Sequence, residues 1–136
     1  MSIVKTRASL LAAYNSSYIF SKGDKEMLRV FISLPMSGRS DEEVKRDIET
    51  VEKIVGEKHW FGDEVEFVHN LLTPTEVELF DLLDKPVTKN LLYLGTAITK
   101  MASCNAVVFA PDWDKARGCI VEFEVANTYD IPRYFA

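Results

Sequence analysis

The sequence predicts one α/β domain built on a mainly parallel sheet of four to five strands, and three observations carry that expectation. Residues 28–33 (LRVFIS) and 106–110 (AVVFA) are short, almost wholly apolar runs rich in β-branched and aromatic residues. Strands covered on both faces read in this way. Each run is followed by a polar loop and then by apolar residues at helical spacing. The rest of the chain alternates strand with helix, an order that brings parallel strands together through right-handed crossovers.

Taken in order, residues 1–26 differ from the remainder of the chain. Residues 8–14 suit a short helix, 18–20 a short strand and 21–26 a polar linker, so this segment is expected to be an appendage, mobile or touching a neighbouring subunit. The domain proper is expected over residues 27–136. After the first strand, Ser40-Asp41-Glu42-Glu43 is a capping box, and Val44, Ile48, Val51 and Val55 extend a helix to about Lys58. Residues 60–63 make a turn, and the near-alternation of 64–69 (EVEFVH) predicts the second strand. Pro74 opens a short helix over 75–83, closed by 84–86. Leu91, Leu94, Ile98 and Met101 form one stripe of a helix over 91–102, which leads to the strand at 106. Pro111 ends that strand because it has no N–H for a sheet ladder. A helix begins at Cys119, residues 130–132 turn, and 133–136 form a last short strand.

Bulk properties narrow the function. The chain has 136 residues, enough for one compact domain, and its net charge of −5 leaves no general basic surface for a nucleic-acid polymer. No run reaches transmembrane length, and no convincing signal peptide opens the chain. A cytoplasmic protein with reduced Cys104 and Cys119 is expected. His59 and His69 stand apart from both cysteines, so no metal site is expected, and no cofactor. Neither G-x-G-x-x-G nor the phosphate-binding G-x-x-x-x-G-K-[ST] loop occurs.

Ligands of open α/β sheets bind beyond the carboxyl ends of the strands, so the loops after residues 33 and 110 are the first candidates. In the later one, Cys119, Glu122, Phe123 and Ala126 share a helix face that is small or apolar apart from Glu122. The plain reading of Glu122 is a surface acid favoured by the helix dipole. The functional reading is a carboxylate facing a pocket as nucleophile or base. Trp113 offers a stacking ring or else a core residue, Arg117 an anion partner, and Gly118 a close approach of backbone to ligand. In the earlier loop, Ser37-Gly38-Arg39 precedes a helix N-terminus and can hold a phosphate or carboxylate, although Gly38 can equally serve only the turn.

With these residues in view, the segment I-S-x-P-M-S-G at 32–38, paired with NAVVFAPDWDKARGCIVEFEVANTYDIP at 105–132, resembles a family of small, often phage-borne domains. These are similar to the nucleoside 2-deoxyribosyltransferases and deoxynucleoside-monophosphate N-glycosidases. The resemblance covers residue 28 to the C-terminus and is strongest over 93–132. It implies a flavodoxin-like three-layer sandwich. It also implies a G-[ST]-x-x-E segment, matched here by Gly118-Cys119-Ile120-Val121-Glu122, whose glutamate attacks the anomeric carbon of a 2-deoxyribosyl group. Glu122 and Asp112 would then be the catalytic pair. Ser33, Pro35, Met36, Ser37, Gly38 and Arg39 would bind sugar or 5′-phosphate, with Trp113, Arg117, Gly118 and Cys119 on the facing side. The expected partner is a small nucleoside or nucleotide, and a homo-oligomer is expected. Two features depart from the pattern. Residues 95–98 (GTAI) carry no acid and Asn105 stands where Asp is usual, and Cys119 stands where Thr or Ser is common. The alternative is a non-catalytic binder of a nucleotide or an ADP-ribose-like ligand.

Overall fold

The computed structural model describes residues 27–83 and 86–136, so the expected appendage at 1–26 and the helix closure at 84–85 lie outside the described residues. The strands are β1 (Leu28–Ser33), β2 (Val65–Val68), β3 (Ala106–Phe109) and β4 (Arg133–Phe135). The helices are α1 (Asp41–Lys58), α2 (Pro74–Asp81), α3 (Pro86–Ala102) and α4 (Arg117–Thr128), with a 3-10 turn at Trp113–Lys115. The described strands form one sheet in the order β2-β1-β3-β4, and every pairing is parallel. This is the first part of the flavodoxin-like strand order, with the crossover point between β1 and β3.

Both central strands are covered on two sides, which explains their unbroken apolar sequence. Val30, Ile32 and Val108 face one layer, where they meet Val44, Ile48, Val51 and Val55 of α1. Phe31, Val107 and Phe109 face the other, against Ala97 and Met101 of α3 and Ala126 of α4. The four α1 residues are the apolar stripe of the sequence, and the Ser40–Glu43 capping box forms in both directions. The domain is therefore a flavodoxin-like α/β sandwich with helices on both faces of a parallel sheet.

Several boundaries differ from expectation for identifiable reasons. The third helix starts at Pro86 rather than Leu91. Proline is at home in a first helical turn, so Pro86 opens α3 instead of closing α2, which ends at Asp81. The helix expected from Cys119 starts at Arg117, after a 3-10 turn that the polar loop concealed. Among the described residues no helix is long and apolar enough to cross a membrane.

Candidate functional site

The site is built at the carboxyl rim of β1 and β3. Ser33 pairs with Phe109 at the end of the ladder, and the Ala110 N–H donates to the Ser33 carbonyl at 2.9 Å. The loops that leave these strands, 34–39 and 110–116, therefore start side by side. Each turns through a left-handed residue, Gly38 at φ 72° and Asp112 at φ 66°. Glycine reaches that region without strain, and aspartate is one of the few other residues that enters it readily.

Strand alternation sends the Ser33 side chain toward the α3/α4 layer, on the same side as Phe31. There it meets Glu122, in the second turn of α4. The Ser33 hydroxyl donates to Glu122 Oε1 at 2.7 Å. Glu122 is only 7% exposed, so the surface-acid reading does not describe it. Burial pushes its carboxyl up to about 7, and the Ser33 hydrogen bond offsets part of that shift. At neutral pH the group is thus close to an even mixture of acid and carboxylate, a state suited to moving protons and to answering a bound charge.

Cys119 lies one turn earlier on the same face and is also buried. Burial pushes its thiol up to about 11, with a smaller opposing effect from Ser33, so at neutral pH it packs as a neutral side chain. Cys104 is likewise pushed up to about 11, chiefly by burial.

A crevice of about 360 Å³ opens on the α1 side of the same rim. Pro35, Arg39, Pro111 and Asp112 line it from the two loops, and Asp47, Thr50 and Val51 line it from α1. Three of the expected site residues, Pro35, Arg39 and Asp112, thus share one concavity. Glu122 does not line it, being held under α4 on the other side of the rim.

Other members of the expected set take distinct positions. Arg39 is engaged, since its guanidinium donates to the Pro35 carbonyl at 3.1 Å and pairs with Asp47 at 2.5 Å. Asp112 is largely exposed and pairs with Lys115 at 3.2 Å. Trp113 packs against the chain's own aromatics, with ring centroids 4.9 Å from Phe123, 5.1 Å from Phe109 and 5.6 Å from Phe135. Met36 packs against the α1-side core, while Ser37 is exposed at the turn. Arg117 is the exposed first residue of α4. Gly118 is exposed too, and a Cβ there would meet nothing within 4 Å, so neither packing nor backbone geometry inside the domain demands glycine.

Asn105 has a local explanation. Its N–H donates to the Arg29 carbonyl at 2.7 Å, and its side-chain oxygen accepts from the Arg29 N–H at 2.9 Å. This clamp joins β1 to β3 at the amino rim, opposite Glu122.

Asp47 and Thr50 are crevice residues that sequence reasoning misses. Both sit beside the buried stripe of α1, where polar residues are routine, and the one available signal is an acid placed two turns after Arg39. Compared with protein-family models, curated proteins and solved structures, the chain finds no match.

The raised Glu122 value makes a signed prediction for stability. The folded protein binds this proton more tightly than the unfolded chain, whose value stays near 4.5. Its contribution is complete below about 4.5, declines as pH rises, and is gone above about 7. Wild type should therefore lose about 3 kcal/mol relative to Glu122→Gln between the two ends of that window. Urea unfolding of both proteins across pH measures it, and a difference independent of pH would contradict the buried-carboxyl geometry.

Proposed function

We propose that this domain acts on the N-glycosidic bond of a deoxynucleoside or its 5′-monophosphate, cleaving it or transferring the 2-deoxyribosyl group, with Glu122 as the reacting carboxylate. The observation that carries this reading is a glutamate buried at the carboxyl rim and held by a hydroxyl from the neighbouring strand. A carboxylate buried only for structure would usually have a cation beside it, whereas the cause opposing its desolvation here is a neutral serine.

Ser33 engages Oε1 and leaves Oε2 without that constraint. In the ionised form, Oε2 attacks the anomeric carbon as the bond to the base nitrogen breaks, and the base leaves with the bonding pair and takes up a proton. Water or a second base then displaces the glycosyl ester and regenerates Glu122. Positive charge developing on the sugar favours the ionised carboxylate, so substrate itself shifts the even mixture toward the nucleophile. In this scheme Asp112, which lines the crevice, would assist the leaving base or orient a sugar hydroxyl. No metal or other cofactor enters this scheme.

A second reading, a non-catalytic binder of a nucleotide or ADP-ribose-like ligand, has its own support. The crevice and Glu122 lie on different sides of the rim. The location that fits either reading is the cytoplasm, where the free thiols Cys104 and Cys119 would stay reduced. A homo-oligomer also belongs to the proposal. Leu79 on α2, Leu82 at its C-terminal cap and Leu91 on α3 are 58%, 78% and 63% exposed, apolar surface that a second copy would cover.

Incubation with each deoxynucleoside and its monophosphate, followed by chromatography of free base, tests the activity. Wild type should release base, and Glu122→Gln should lower the rate by at least about a hundredfold. Turnover retained in that variant would refute the assignment, and tight binding without base release would favour the binder. Sedimentation velocity tests the assembly. A dimer or larger species is expected at micromolar concentration, and a monomer throughout that range would refute it.

A further inference from the structure

The proposed activity leaves open whether the substrate carries a 5′-phosphate, and the charges around the crevice bear on that choice. Arg39 is the one cationic residue that lines it among the described residues. Its Nη1 lies 2.5 Å from Asp47 Oδ2 and also donates to the Pro35 carbonyl, and its Nε lies 3.9 Å from Glu43 Oε2. Paired in this way, a guanidinium offers little of its fork to an incoming anion.

The helix start beside it is occupied as well. Ser40 and Glu43 satisfy each other's backbone N–H groups, and Asp41, Glu42 and Glu43 fill the first turn. The capping bonds from Ser40 hold the Glu43 carboxyl below the usual range, so it is ionised at neutral pH. An α1 N-terminus able to attract a phosphate is thus already matched by the chain's own carboxylates. Asp112, on the opposite lip, adds an acid whose charge is met by Lys115. The neutral groups of the crevice, Thr50 and the prolines, suit a sugar hydroxyl and a ring edge.

We infer that Asp47 sets the substrate class: by holding Arg39 it turns the crevice against a 5′-phosphate, so the molecule taken is the deoxynucleoside with a free 5′-hydroxyl. This inference rests on the glycosyl-transfer reading of the same rim. Asp47 acts through Arg39 and is a positioning residue. Its side chain is 44% exposed, so its replacement leaves the core of α1 intact.

Two measurements on wild type and Asp47→Asn test the inference. The first is kcat/KM for base release from the deoxynucleosides and from their 5′-monophosphates. Wild type should favour the nucleosides by about tenfold or more, and Asp47→Asn should erase most of that preference through a lower KM for the monophosphates. The second is titration with inorganic phosphate, followed by calorimetry. Wild type should show no binding at millimolar phosphate, and the variant should gain it. Monophosphates used by wild type as well as nucleosides, or better, would overturn the inference while leaving the glycosidic reading intact. Equal phosphate binding by the two proteins would overturn the role of Asp47. If no base is released from either substrate class, the glycosidic reading fails. The substrate assignment falls with it, and the phosphate titration then tests the Asp47–Arg39 part alone: binding by wild type overturns the claim that Asp47 turns the crevice against phosphate, and binding confined to Asp47→Asn upholds it.

Discussion

The hydrogen bond from Ser33 to Glu122 is the constraint on which the candidate site depends. It ties the last residue of the central strand to the second turn of α4, across the layer boundary. A glutamate in that place is costly, because ionising it means holding charge on the buried helix face it shares with Cys119 and Ala126, with one hydroxyl for compensation. A leucine would pack there at no such cost. The acid is thus a local violation of the rule that cores are apolar, and such violations concentrate at functional positions.

The surrounding architecture makes that position useful. Parallel pairing of β1 with β3 places both of their exit loops at one rim, and the left-handed turns at Gly38 and Asp112 fold those loops around it. The rim has two sides of different character. Under α4 it offers a buried carboxyl, and the same layer holds the aromatic group of Trp113, Phe123 and Phe135. Toward α1 it offers a polar crevice whose arginine is already neutralised. On the proposed reading, one side would supply reactivity and the other recognition, and a bound nucleoside would have to reach across the rim to use both.

Much of this is legible in the residues. The apolar strands, the S-x-x-E box and the α1 stripe each depend on local pattern, and they form where the pattern puts them. The position of Glu122 on an otherwise small and apolar helix face also signals its burial. What stays hidden depends on partners distant in sequence. Arg39 reads as an available cation until the helix brings Asp47 against it. Trp113 reads as a stacking surface until β4 and α4 supply rings that occupy it. Asn105 reads as a substitution in a motif until its two hydrogen bonds with the Arg29 backbone show a strand clamp. The start of α3 at Pro86 escapes the sequence pattern because proline serves equally well to end one helix and to open the next.

The most direct test of the buried site is the titration of Glu122 itself, followed by the side-chain carboxyl carbon signal in a glutamate-labelled sample and assigned by its absence in Glu122→Gln. A midpoint near 7 is expected, because the group is buried and held by a neutral partner. A midpoint near 4.5, the ordinary glutamate value, would mean that water reaches the carboxyl freely and that the Ser33–Glu122 contact does not hold it out of solvent.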